Sequence, residues 1–207
     1  HAPGIRGKEV QAYRLAGVEN DHECSTAEEV LDKLRAGLHI YVREGSGAKN
    51  LETLIKTMLD AGVCLDRCAF CTDDKHVEEI RKEGHISTCI RKAIALGVPV
   101  AKAYKMGSYQ AAEFYGLKNY GAIGAGYRAD IVFLDDLEQV RPLDVMKDGR
   151  ILTEEDYAKD YSVPVPDELL HTVHVGEVTK EKIRLFCDGK TDVIQMNPHQ
   201  IVTTHLV

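Results

Sequence analysis

The sequence predicts an α/β chain in which parallel strand–helix units give way to a run of antiparallel strands. Three observations predict it. Short apolar strands alternate with amphipathic helices over residues 1–107, the pattern of parallel βαβ units. The units recur at roughly 20 to 30 residues, a spacing that suits a (β/α) barrel or a doubly wound sheet, and too few are present to close the eight-unit ring of a barrel. After Gly116 the texture changes: glycines at 121, 124 and 126 lead into strand-like segments separated by turn residues, as in hairpins.

Each element has its own signal. Lys8–Ala16 reads as a helix stopped by Gly17, and Val18–Asp21 as a short strand. Ser25-Thr26-Ala27-Glu28-Glu29 is a capping-box start, because hydroxyl and carboxylate can satisfy the free N–H groups of a first turn. Ala27, Val30, Leu31 and Leu34 then form one apolar face, closed by Gly37. Leu38–Val42 is the next strand. Asn50 is expected to cap a helix bearing Leu51, Leu54, Ile55, Met58 and Leu59 at helical spacing, with Gly62 at its end. Cys68–Thr72 is a strand, followed by helices over about 76–82 and 86–96 and two short ones up to Tyr115. Beyond that, strands are expected at 129–134, 140–146 and 151–152, with a hairpin turn at Lys147-Asp148-Gly149-Arg150. A Pro-bearing linker over 160–170 precedes strand candidates at 173–178 and 192–196.

Composition removes several function classes. The chain carries 26 Lys and Arg against 33 Asp and Glu, a formal net charge of −7, and no basic cluster. Nucleic-acid binders carry a basic patch, and the absence of Trp argues against a base-stacking platform, so a small-molecule partner is expected. No apolar run approaches the roughly 20 residues of a membrane span. The six cysteines in a long chain without a secretion signal read as reduced thiols of a cytoplasmic protein. The opening His1-Ala2-Pro3-Gly4 reads as cut into rather than begun, so the chain is expected to be an internal piece of a longer protein.

Polar residues stand at the C-terminal ends of the expected strands: His1-Ala2-Pro3-Gly4, Asp21-His22-Glu23, Arg43-Glu44-Gly45-Ser46 and Thr72-Asp73-Asp74. In α/β barrels the active site is assembled at that rim from several strands. Imidazole and carboxylate are ligands for Zn, Mn or Fe, and two His with one Asp leave positions open for water. Glu23 or Asp74 is available to orient a ligand from behind.

In that order, and with Gly7-Lys8, Ala48-Lys49-Asn50 and His76 beside them, these four motifs resemble the adenine deaminase family of the amidohydrolase superfamily. Gly121-Ala122-Ile123 through Ala129-Asp130-Ile131-Val132 resembles the strand returning to the accessory β domain of that superfamily, and residues 171–207 also resemble the family. The resemblance implies the C-terminal half of a (β/α)₈ TIM barrel, about strands 5–8, over 1–118, then an accessory β-sandwich segment over 119–156. It implies a linker and the start of a C-terminal region over 157–207. It further implies a divalent metal, Mn or Fe with Zn as a further option, held by His1, His22 and Asp73. Asp73 and Glu23 are the implied catalytic carboxylates, and Arg43, Glu44 and Ser46 the implied substrate-side residues. The implied reaction is hydrolytic deamination of adenine to hypoxanthine and ammonia by a metal-activated water, in purine salvage, by a homo-oligomer that binds no nucleic acid or membrane. The family's His-x-His pair and bridging glutamate are expected upstream of His1, so the isolated chain is expected to be inactive.

Two rival readings remain at this level. The chain can be a structural or interaction unit without catalysis of its own. Cys64-x₃-Cys68-x₂-Cys71 has radical-SAM iron–sulfur spacing, although Cys68 and Cys71 fall on opposite faces of a strand. His171 and His174 are likewise expected on opposite faces of a strand, His39 reads as structural, and His85 as a helix-start residue.

Overall fold

The computed structural model describes residues 1–207. Its centre is a three-stranded parallel sheet of order β1-β2-β3, with β1 at Asn20–Asp21, β2 at His39–Arg43 and β3 at Cys68–Cys71. Asp21 pairs with Ile40, Ile40 with Cys68, and Val42 with Phe70. Because side chains alternate across a strand, Ile40, Val42, Cys68 and Phe70 turn to one face and enter the 18-residue apolar core. His39, Tyr41 and Arg43 turn to the other.

The helices around this sheet follow the apolar spacing of the sequence. They are α1 (Lys8–Leu15), α2 (Ala27–Arg35), α3 (Leu51–Asp60), α4 (Val77–Glu83), α5 (Ile86–Ala95), α6 (Val100–Gly107) and α7 (Tyr109–Phe114). Of these, α2, α3, α5 and α6 supply core residues. Leu51, Leu54, Ile55 and Met58 of α3 are all buried, as an i, i+3, i+4, i+7 stripe requires. α2 starts in the expected capping box: Thr26 accepts from the Glu29 N–H at 3.3 Å, and Glu29 accepts from the Thr26 N–H at 3.0 Å. α7 closes the far face, where Phe114 stacks on His39 at 3.8 Å between ring centroids, so His39 is indeed a packing residue.

The remainder is antiparallel. Strands β4 (Ile131–Leu134), β5 (Pro142–Lys147) and β6 (Arg150–Ile151) form a sheet of that order, followed by helices α8 (Glu154–Ala158) and α9 (Asp167–Leu170). A hairpin of β7 (Val193–Met196) and β8 (Thr203–Leu206) ends the chain. The β4–β5 connection is moored to the helical layer. Tyr104 donates to the Leu137 carbonyl at 2.7 Å, Arg91 donates to the Gln139 carbonyl at 3.0 Å, and Val140 is buried in the core.

Four expectations need correction. Asn50 precedes α3 but makes no side-chain cap; its amide donates to Gln200 at 3.4 Å. The second antiparallel strand begins at Pro142, not Val140, because Val140 adopts a left-handed φ of 52° that ends the extended run. Residues 173–178 alternate like a strand but form none. Val173 and Val175 are exposed and no neighbouring strand offers a ladder, so His171 and His174 lie outside any strand. The most buried side chains of α2 include Glu29 and Lys33, whereas Leu31 and Leu34 are only half-buried. No helix is long and apolar enough to cross a membrane.

Candidate metal centre

All three parallel strands run the same way, so the residues after β1, β2 and β3 share one rim. His22 and Glu23 follow β1, Arg43 ends β2, and Thr72-Asp73-Asp74 follow β3. The His1–Gly4 loop folds back onto this rim and is fixed there by Tyr13, whose hydroxyl donates to the His1 carbonyl at 3.0 Å. The Gly4 N–H donates to Glu29.

Ligand atoms of His1, His22 and Glu23 all lie within 4.8 Å of one another. Glu23 Oε1 is 2.9 Å from His1 Nδ1, and the two imidazoles meet edge to face at 5.2 Å between centroids. Asp73 Oδ2 stands 3.5 Å from His22 Nε2. Two imidazoles and a carboxylate, with a second carboxylate alongside, make a donor set that fits a divalent transition metal. Of the sequence-derived trio, His1 and His22 converge with Glu23 as the nearest ligand group, and Asp73 approaches that group through His22.

Asp73 is also held by Arg43, through the same oxygen that faces His22. Arg43 Nη1 is 2.5 Å from Asp73 Oδ2 and Nη2 is 3.0 Å from Asp74 Oδ1. Asp73 itself adopts φ 45°, a left-handed conformation that Asp tolerates better than most residues. Asp74 packs onto the backbone of the loop after β2, accepting from the Gly47 N–H at 2.6 Å. A Cβ on Gly45 would lie 1.8 Å from Asp74 Oδ1, and one on Gly47 2.8 Å from Asp74 Oδ2. The glycines in this motif therefore serve close approach of a carboxylate to backbone. Burial raises the Asp74 carboxyl's pKa, but the Gly47 N–H and the Arg43 guanidinium outweigh it and hold it below the usual carboxylate value.

The other residues expected on the substrate side also have protein partners. Glu44 is buried and receives Lys92 Nζ at 2.6 Å. Ser46 donates to Glu79 at 2.5 Å and accepts from the His76 N–H at 2.9 Å. His85, read as a helix-start residue, makes no side-chain cap and instead meets Thr72 Oγ1 at 2.7 Å. A cavity of about 170 Å³ opens between Asn20, His22, Tyr41, Cys71, Asp73 and Tyr115. The buried Tyr41 hydroxyl that lines it has no hydrogen-bond partner. A larger cavity of about 450 Å³ lies beside Lys49, Lys92 and His199; His22 and Asp73 line the smaller one.

The cysteines do not converge. Cys68 is buried on the helical face beside Met58, Cys64 is exposed, and Cys71 faces the opposite cavity. Burial pushes the Cys68 and Cys71 thiols up to about 12, the reverse of what thiolate ligation requires. Sequence reasoning missed Lys33, and placed Asp21 in a rim motif without its buried partner. The visible signal was a lysine four residues after the capping-box glutamate and one turn after Val30, on the side of α2 that faces the sheet.

A parallel sheet layered with helices thus carries His22 and Asp73 at its C-terminal rim, with His1 folded onto it. The model of the amidohydrolase family matches residues 1–152, and the chain belongs to that family. Over 207 residues it is 40% identical to the adenine deaminase of Desulfitobacterium hafniense (strain Y51), covering 100% of this chain and 36% of that protein. It is 42% identical over 195 residues to the adenine deaminase of Clostridium acetobutylicum, covering 93% of this chain and 34% of the relative. The chain thus spans about a third of the length of these curated relatives. Among solved structures, a β-aspartyl dipeptidase from Fervidobacterium islandicum AW-1 superposes with a TM-score of 0.52 at 19% identity, over 67% of this chain and 39% of that one. That likeness concerns the fold.

Proposed function

We propose that this chain supplies the C-terminal half of a (β/α)₈ barrel, over residues 1–118, to an enzyme that hydrolyses adenine to hypoxanthine and ammonia. Residues 119–156 are assigned to an accessory β segment and 157–207 to the linker and the start of a C-terminal region. The single observation that carries the reading is the meeting of His1, His22 and Glu23 within 4.8 Å, with Asp73 3.5 Å from His22. The similarity to adenine deaminases along the whole chain supports the choice of substrate.

In this reading His1, His22 and Asp73 hold the cation, and Mn or Fe is the proposed metal. A divalent ion bound there supplies Lewis acidity and lowers the pKa of water at the site. Asp73 takes a proton from the attacking water and passes it toward the leaving ammonia at C6. Glu23 orients the His1 ring through their 2.9 Å contact and is the second carboxylate for proton exchange with the purine. Arg43 keeps the Asp73 carboxylate turned toward the rim.

The test is adenine deamination by this chain with added Mn²⁺ or Fe²⁺, alone and after mixing with the segment that precedes the matched region in an adenine deaminase relative. Activity in the mixture, lost on His22→Ala, is the expected outcome. An inactive mixture that has assembled into one particle counts against the reading.

A further inference from the structure

Lys33 on α2 is fully buried, at 0% exposure, and lies directly behind the rim. Its ammonium donates to the Ala2 carbonyl at 2.6 Å and to Asp21 Oδ2 at 2.9 Å, and stands 3.9 Å from Glu29 Oε1. Glu29, also buried, accepts from the Gly4 N–H and from the N–H groups of Ser25 and Thr26 at 2.9 and 3.0 Å. The partners sort into two loops. Ala2 and Gly4 belong to the loop that carries His1; Asp21, Ser25 and Thr26 bracket His22 and Glu23. These two loops have no shared strand, and Lys33 and Glu29 are their common anchors.

A buried ammonium is a poor choice for packing alone, because apolar residues of similar volume serve equally well or better. Buried charge with directional hydrogen bonds specifies geometry instead. We infer that Lys33 is a positioning residue: together with Asp21 and Glu29 it locks the His1 loop to the His22–Glu23 loop at the separation where their ligand atoms share one ion. The inference rests on the metal-site reading above for its purpose, and on the hydrogen bonds alone for the lock.

The experiment uses the 207-residue chain, Lys33→Met, and the double variant Lys33→Met with Asp21→Asn, which removes the Asp21 charge with its partner and leaves Glu29 to its backbone N–H donors. Three quantities are read: the thermal midpoint, peptide-resolved amide hydrogen exchange, and Co²⁺ affinity from the visible absorption of the ion. The single variant is expected to melt lower and the double variant to recover most of the midpoint. In the double variant, amides of residues 1–7 and 19–26 should exchange about tenfold faster while those of α3 stay unchanged, and Co²⁺ affinity should fall about tenfold, the scale of other residues that act behind metal ligands. A double variant with wild-type exchange in both loops and wild-type Co²⁺ affinity overturns the inference. If the parent chain gives no Co²⁺ absorption that His22→Ala abolishes, the metal reading falls; faster exchange confined to the two loops then still supports the lock.

Discussion

Arg43 Nη1 lies 2.5 Å from Asp73 Oδ2, the same oxygen that stands 3.5 Å from His22 Nε2. The aspartate that the family resemblance makes a metal ligand is thus held between a guanidinium and an imidazole, and the same guanidinium reaches Asp74. Arg43 thus contacts both carboxylates at once.

Arg43→Ala removes two charge-assisted contacts and leaves Asp73 and Asp74 facing each other. Such contacts are worth about 1–3 kcal/mol each, and the partial exposure of Asp73 discounts this toward the lower end through solvent screening. Urea unfolding is expected to show a loss of about 1–2 kcal/mol, with Arg43→Lys recovering only part because a point charge cannot bridge two carboxylates in a planar fork. In the assembled enzyme kcat should fall about tenfold or more with little change in KM. A rise in KM alone returns Arg43 to the substrate side.

Gly45→Ala places a methyl group 1.8 Å from Asp74 Oδ1 and 2.9 Å from the Thr72 carbonyl. Neither the carboxylate, fixed by Gly47 and Arg43, nor the backbone can yield freely. The variant is expected to lose about 1–3 kcal/mol of stability, the usual scale of overpacking, and Gly47→Ala less, since its Cβ would meet Asp74 Oδ2 at 2.8 Å and no backbone atom. Equal effects of the two substitutions on the thermal midpoint contradict this ordering.

Glu29 gives the chain an acid-sensitive limb. Burial pushes its pKa up, but the Ser25 and Gly4 N–H groups and Lys33 bring it below the ordinary value of 4.5. A carboxyl with a depressed folded pKa contributes stability that is present above the unfolded pKa and is lost as pH falls through the folded one. Midpoints measured downward from pH 5 should therefore drop for the parent chain as the pH passes below 4.5, and Glu29→Gln should flatten that drop. A parallel curve for the variant removes Glu29 from the acid transition.

Thiol accessibility separates the cysteines. Cys64 and Cys187 are exposed, while Cys24, Cys68 and Cys89 are buried, and burial holds the Cys68 and Cys89 thiols at about 12. Reaction with an aromatic disulfide at neutral pH should titrate Cys64 and Cys187 rapidly and the buried three only on unfolding. Early, joint modification of Cys64, Cys68 and Cys71 instead signals that they share one accessible surface, as a cluster loop does.

Much of the α/β layer was legible in the sequence because its determinants are local. The stripe Leu51, Leu54, Ile55 and Met58, the Thr26–Glu29 box and the short apolar run 68–71 each state their own structure through spacing and cap chemistry. Residues 173–178 misled for the complementary reason. Alternation describes a strand only where another strand is present to pair with it, and none is.

The sequence by itself determined which residue types stand at the ends of the parallel strands, and so that His22 and Asp73 share a rim: the direction of a strand fixes where the residue after it points. Only the tertiary structure decided that His1 folds back to within reach of Glu23, that Arg43 spans from β2 to Asp73, and that a buried lysine joins two loops. Those relations link residues 12 to 31 positions apart through side-chain contacts, and the energy of such a contact depends on direction and burial that no local spacing encodes.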